Sequence, residues 1–307
     1  MNKKYPGSLH NHTDFSNLRL RDSINKVPTL INKAIELGHT CVAITDHETI
    51  SSFVQVEEYA AKVKDKIKVI RGNEIYLTRN NLNGSNFNKE RGDDYFHFIL
   101  LAKDIEGYHQ ICELSTRAWM RSYVSRRMRR VPTYYKDLKE VVAPNPGHLV
   151  ASTACLGGQL PKFILKYRET GDMNYIETAK NWCQYMVGIF GKGNFYLEMQ
   201  PSNNAEQVYV NKTLMKFSEE LDIPYIITTD NYIVYSYQIS DESESSQENN
   251  ARHATMEVQI CPKKEVKDGF FYSMRASSRP IDVDQSVQTA VWNSLCHLGG
   301  DEILAVS

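Results

Sequence analysis

The sequence predicts an α/β fold in which parallel strands close into a barrel. Three observations lead there. Short apolar runs of strand length alternate with amphipathic stretches of helical length about seven times over roughly 230 residues, the pattern of successive βα units on a parallel sheet. Residues able to bind metals or exchange protons gather at the downstream ends of those apolar runs. In a closed barrel such ends converge on one mouth, whereas in an open doubly wound sheet they spread along an edge. Neither GxGxxG nor GxxxxGK[ST] occurs, so the two common glycine-rich nucleotide cradles are unsupported.

The first segment, Ser8-Leu9-His10-Asn11-His12-Thr13-Asp14, places two histidines two residues apart, so on extended backbone both rings point the same way. Residues 28–37 read as a helix, with proline in the first turn and Gly38 as the stop. A short buried strand at 41–45 delivers Asp46 and His47. A helix spans 51–64, and a strand over 67–77 carries Gly72-Asn73-Glu74. Residues 80–94 are polar and suit a loop. An apolar strand over 95–102 is interrupted by His97, and a helix over 107–123 continues into a basic stretch. Residues 133–141 suit a helix, 144–147 a turn, and 148–152 a strand leading to Cys155-Leu156-Gly157-Gly158. Helices at 161–168, 173–190 and 205–221 surround a strand at 194–199. A last strand at 224–228 ends in Thr229-Asp230.

At 307 residues, 41% hydrophobic and 10% aromatic, the chain can fill one large barrel or two ordinary domains. A net charge of −1 shows no commitment of the whole surface to nucleic acid. There is no apolar run of ~18 residues and no apolar signal-peptide core, so no membrane partner is expected. Six scattered cysteines without CxxC suit reduced thiols and a cytoplasmic location. Cys41, Cys112 and Cys183 are expected in the core. Residues 240–250 (SDESESSQENN) read as a loose polar linker, and 255–307 receive no assignment.

The strand-end residues are His10, His12, His47, Glu74, His97, Cys155 and Asp230, with Asp22 in the loop after the first segment. Each has a bland reading by itself: His97 as a hydrogen-bonded core residue, Cys155 as a small hydrophobe, Asp230 as a helix cap. Together at one barrel rim they form a nitrogen, oxygen and thiolate donor set that suits zinc, manganese or iron better than magnesium or calcium. They are too many for one tetrahedral ion, so two or three divalent transition metals are expected, with a carboxylate such as Glu74 bridging. Arg19 and Arg21 are candidates for phosphate neutralisation or are simply solvated. Arg117, Arg121, Arg126, Arg127, Arg129 and Arg130 form a dense basic patch beside Trp119, Tyr123, Tyr134 and Tyr135. This is either a phosphate-tracking surface, with Arg121, Arg126 and Arg127 as DNA contacts, or a solvated helix face.

His10-Asn11-His12, Thr45-Asp46-His47, Gly72-Asn73-Glu74, Phe96-His97 before Leu100-Leu101-Ala102-Lys103, Ser152 through Gly158, Asn194 through Glu198 and Ile227 through Asp230 occur in that order. In this the chain resembles the PHP (polymerase and histidinol phosphatase) superfamily. It is most similar to the N-terminal PHP domain of bacterial and phage DNA polymerase III alpha subunits, over roughly residues 5–231. The resemblance implies a distorted (β/α)7 TIM-like barrel over 1–235, with a poorly defined extension over 236–307. It also implies up to three metals on His10, His12, Asp22, His47, Glu74, His97, Cys155 and Asp230. In such a site His10, His12, Glu74 and Asp230 would hold the ions nearest the nucleophile.

The implied activity is phosphoester hydrolysis, on DNA 3′ ends as a proofreading exonuclease or on small phosphomonoesters as in histidinol phosphatase. The alternative is a non-catalytic module bracing a split or truncated polymerase. DNA, other replication subunits or a separate polymerase core are the expected partners. Two departures stand out. The family motif Asp-x-His is here Asp230-Asn231-Tyr232, and no run supplies polymerase palm carboxylates, so polymerisation by this chain alone is not expected.

Overall fold

A computed structural model describes residues 7–18, 23–78, 95–125, 128–202 and 204–230. In chain order it contains a short 3-10 helix (Asp14–Leu18), α1 (Val27–Glu36), β1 (Cys41–Ile44), α2 (Phe53–Val63), β2 (Lys68–Thr78), β3 (Phe96–Ala102), α3 (Ile105–Met120), β4 (Tyr123–Ser125), β5 (Met128–Arg130), β6 (Pro132–Tyr134), α4 (Tyr135–Val141), β7 (Leu149–Ser152), α5 (Gln159–Thr170), α6 (Asn174–Phe190), β8 (Phe195–Met199), α7 (Ala205–Leu221) and β9 (Tyr225–Ile227). The polar stretches expected at 80–94 and 240–250, the unassigned 255–307 and the boundary at 235 lie outside the described residues.

The main sheet runs β1-β2-β3-β7-β8-β9, with β6 added to β2. Strand β2 is its spine. Its first half pairs with β1, its last residues pair with β6, and its other edge carries β3. Among the described residues no strand ladder joins β9 to the first segment. The curl is completed by side chains instead: His10, beside β1, reaches Glu198 on β8 and Asp230 beyond β9.

One strand departs from the all-parallel expectation. β3 runs antiparallel to both β2 and β7, while β1, β2, β6, β7, β8 and β9 pair in parallel. The sequence shows the alternation of elements but not their direction. The connection from β2 to β3 (79–94) carries no helical periodicity, and an antiparallel neighbour needs no crossover helix. The reversal places His97 at the start of β3, level with the downstream ends of the other strands.

Strand parity explains which residues meet. Odd positions of β3 face the barrel interior, where Ile99 and Leu101 pack with Ala43, Val150 and Ala154, and with Leu9, Ile70 and Tyr196. Even positions Phe98 and Leu100 join the larger core beneath the helices, with Leu114, Leu138, Leu149, Phe190, Phe195 and Leu197. A third cluster joins α1, α2 and β1. Because side chains alternate, each interior apolar residue is followed two positions along its strand by a polar one at the rim. Val150 leads to Ser152 and Tyr196 to Glu198. On β3, read backwards, Ile99 leads to His97.

Three elements differ from expectation. The first segment is extended but is held to β1 by single bridges such as Ser8 to Val42 rather than by a ladder. The basic stretch after α3 is not helical. β4 and β5 form a separate antiparallel pair, Tyr123 opposite Arg130; α3 ends at Met120 with Arg121 as its C-cap, and the aromatic and β-branched Tyr123 and Val124 that follow favour extended backbone. Residues 133–141 begin as strand β6. Cys183 is buried as expected, while Cys41 and Cys112 are half-buried.

Leu100, fully buried between β3 and the helices, is the position at which the core is tested. Leu100→Ala should cost about 2–5 kcal/mol, read as a shift in the denaturant midpoint. Val54→Ser on the exposed face of α2 should change it by no more than about 0.5 kcal/mol.

Candidate metal centre

The rim residues converge. Glu74, fully buried on the interior face of β2, lies at the centre. Its Oε2 is 2.6 Å from His47 Nδ1, 3.3 Å from His12 Nε2 and 3.6 Å from His10 Nε2, and its Oε1 is 2.6 Å from His97 Nδ1. Asp230 Oδ1 is 3.2 Å from both His10 Nε2 and His12 Nε2. Cys155 Sγ is 3.5 Å from His97 Nδ1. Three overlapping groups therefore have ligand atoms within 4.8 Å of one another: His10, His12 and Asp230; His12, His47 and Glu74; Glu74, His97 and Cys155. Seven of the eight ligands implied by the sequence come together. The eighth, Asp22, lies outside the described residues, as do Arg19, Arg21, Asn231 and Tyr232.

The backbone bends to allow this. Among the described residues four non-glycine residues are left-handed, and three of them are at the rim: Glu48 (φ 54°) follows His47, Ala154 (φ 57°) precedes Cys155, and Asp230 (φ 52°) is itself in the cluster. Such residues cost of order 1–3 kcal/mol each and persist where the surroundings over-determine them. Asn73 fixes the His47 turn by donating to Asp46 O (2.7 Å) and Thr49 O (3.0 Å). Gly157 lets the chain pass close to the His97 ring: a Cβ there would lie 3.0 Å from it, so any larger residue would press on the ring.

A second layer sets the histidine tautomers. His10 Nδ1 is 2.7 Å from Glu198 Oε1, and a carboxylate only accepts, so the proton sits on Nδ1. Glu198 is itself held by Ser152 Oγ (2.5 Å) and Thr228 Oγ1. Ser16 Oγ donates to Asp46 Oδ1 (2.8 Å), so it accepts from His12 Nδ1–H (3.1 Å). Asp46 is held in turn by Thr13 N and Oγ1. Both rings of the His-x-His pair thus direct Nε2 toward Glu74 and Asp230, the arrangement typical of metal-bound imidazoles. Sequence reading passed over Glu198 as a site residue, although a buried-strand glutamate on the interior parity was the available signal. Ser16 carried no signal at all.

The donor set fits divalent cations. His10 Nε2 and Asp230 Oδ1 are buried without a hydrogen-bond partner, and buried polar atoms left so are costly. Burial opposes charge on His10, but Asp230, Glu198 and Glu74 carry its pKa well above the ordinary imidazole value. Burial would raise the Glu74 carboxyl, yet His47, His97 and His10 hold it well below the usual range. Burial also opposes ionisation of Asp230, whose pKa His10 and His12 bring to about 2. For His47 burial dominates and lowers the pKa to about 3, leaving a neutral ring. Burial, with Asp230 and Glu74 adding, pushes the Cys155 thiol well above its ordinary value.

With the geometry in view, the comparisons with known proteins are specific. The family model described as the PHP domain matches residues 8–202, and the chain belongs to that family. The DNA-directed DNA polymerase of Bacillus phage SPbeta is 38% identical over 238 residues, which cover 72% of this chain and 18% of the polymerase. The DNA polymerase III subunit alpha of Borreliella burgdorferi is 30% identical over 274 residues, covering 85% of this chain and 22% of the subunit. That of Aquifex aeolicus is 32% identical over 232 residues, covering 72% and 18%. The chain thus spans about a fifth of the length of these relatives. No helix among the described residues is long and apolar enough to cross a membrane.

Two outcomes test the centre. A thiolate on Cys155 and a neutral His10 each require loss of a proton held at neutral pH. Zn2+ or Mn2+ uptake should therefore release protons into weak buffer, and affinity should rise with pH between 6 and 8; pH-independent uptake would contradict the ligand set. Glu198→Gln, which removes the charge that orients His10, should weaken metal binding by about 10–100-fold in competition with a chromogenic chelator.

Proposed function

We propose that this chain hydrolyses phosphoesters at a centre of two to three divalent transition metals, and that a DNA 3′ end is its substrate. The observation that carries this reading is the shared position of Glu74, whose two oxygens face separate groups, His12 and His47 on one side and His97 and Cys155 on the other. Metals held by these residues would supply Lewis acidity toward a phosphoryl oxygen and activation of a water nucleophile. The remaining roles fall to the protein. Glu198 and the Asp46–Ser16 pair hold His10 and His12 with Nε2 inward. The apolar layer of Ile99, Leu101, Val150 and Ala43 closes the barrel beneath the centre and keeps bulk water from below. Substrate approaches from the side of His97, whose side chain is 19% exposed while Glu74 is at 0%.

DNA as substrate is supported by the polymerases to which the chain is similar. A second reading, a metal-braced module without turnover, is favoured by Tyr232 in the position of the family histidine.

Purified chain loaded with Mn2+ or Zn2+ should shorten a 5′-labelled single-stranded oligonucleotide from its 3′ end, and EDTA should abolish this. Glu74→Gln and His10→Ala should each reduce the rate at least about 100-fold. If the loaded protein cleaves neither the oligonucleotide nor an aryl phosphate, while metal still raises its melting temperature, the non-catalytic reading replaces this one.

A further inference from the structure

The β4–β5 hairpin is not used by the metal centre, yet it is tied to it. Val131 N, at the exit of the hairpin, donates to Glu48 Oε1 (3.2 Å), and Trp119 Nε1, before its start, donates to Glu48 O (2.8 Å). Glu48 is the strained residue directly after His47, and its own N–H donates to Glu74 O (2.8 Å). The Tyr95 and Tyr123 hydroxyls bond to one another, fixing β4 against the start of β3. Arg130 stacks over the Tyr95 ring at 4.9 Å. Tyr95 precedes His97 by two residues, so the backbone that carries the ring under Arg130 is about 7 Å along the chain from that of His97, the one partly exposed histidine of the cluster.

The charges of the patch divide into two classes. Arg117 is neutralised by Glu113 (2.8 Å) and Glu140 (2.7 Å), and Arg121 by Asp137 while it stacks over Tyr134. Arg121, a DNA contact on the sequence reading, is thus occupied within the fold. Arg129 and Arg130 are different. Among the described residues neither has a carboxylate partner within 4.0 Å, and both lie over aromatic rings, Arg129 over Trp119 at 5.9 Å. Beside them Val124 is 64% exposed and Met120 85% exposed. Arg126 and Arg127 of the same stretch lie outside the described residues and add nothing to this geometry.

We propose that the β4–β5 strand pair is a binding arm for single-stranded DNA, in which Arg129 and Arg130 take backbone phosphates and the adjoining apolar and aromatic surface takes bases. The arm would lead a strand toward the His97 side of the centre. Arg129 also donates to Ser122 Oγ (3.1 Å). Guanidinium groups free of carboxylates and preorganised on aromatic rings, next to exposed apolar side chains, are the combination that tracks a flexible polyanion with stackable bases. The net charge of −1 over the whole chain makes this localised positive arm stand out.

The proposal rests on the DNA-end reading above, and binding separates the two. Affinity of the full metal-loaded chain for a fluorescent oligo(dT) of twenty nucleotides, protected by 3′ phosphorothioates, is measured by anisotropy across salt concentrations. Arg129→Ala/Arg130→Ala should weaken binding roughly tenfold or more at 0.1 M salt and lower the log–log salt slope by about 1.4, the loss expected for two phosphate contacts. Arg129→Lys/Arg130→Lys should restore most of the slope. Lys64→Ala/Lys66→Ala at the end of α2, an equal loss of charge away from the arm, should change neither quantity. Metal content, melting temperature and aryl phosphate hydrolysis should be unaltered in all three. Binding by the alanine pair at wild-type strength, or equal weakening by the α2 pair, overturns the arm. Hairpin-dependent binding without any hydrolysis would sustain the arm and remove the hydrolytic reading.

Discussion

Everything at the barrel mouth depends on one buried carboxylate, Glu74, enclosed by four imidazoles from three parts of the chain. A carboxylate fully removed from water is tolerated only where positive charge or strong donors surround it. The fold meets that requirement by bringing His10, His12, His47 and His97 to it, and a second carboxylate, Asp230, to the other side of the His-x-His pair. The resulting concentration of opposing charge is the signature of a site built around cations rather than of a core that excludes them.

Support for this arrangement extends outward in layers. Glu198 and Asp46 each hold one histidine of the first segment, directly or through Ser16, and each is itself held by hydroxyls. Beyond them, left-handed backbone at Glu48, Ala154 and Asp230 stores strain at the points where His47, Cys155 and Asp230 turn inward. Strain of that kind is stable only because parity-matched apolar layers below leave the rim no alternative conformation. Stability of the barrel floor and geometry of the centre are therefore one problem.

The rim also couples the centre to the outer surface. Glu48 connects the backbone of Glu74 to the arginine hairpin through three hydrogen bonds. The two arginines paired with acids belong to the packing of α3 against α4, and the two without such partners lie over the rings of Trp119 and Tyr95. Residues consecutive in a basic stretch thus have unlike roles, and the difference is set by which of them can reach Asp137 or Glu140.

The sequence by itself determined the class of fold, the succession of most of its strands and helices, and the identity of the residues that cluster at the rim. Those follow from local periodicity and from residue types at strand ends, and the motifs from His10-Asn11-His12 to Asp230 are visible without coordinates. It did not disclose the reversal of β3, the hairpin after α3, or the support given by Glu198 and Ser16. Each of these is fixed by pairing between segments far apart in the chain: β3 against both β2 and β7, and Glu198 against His10 across 188 positions. Local pattern states which face of a strand is buried. Direction, partner and protonation are decided only when distant backbones and side chains compete for the same hydrogen bonds, and that competition exists only in the folded chain.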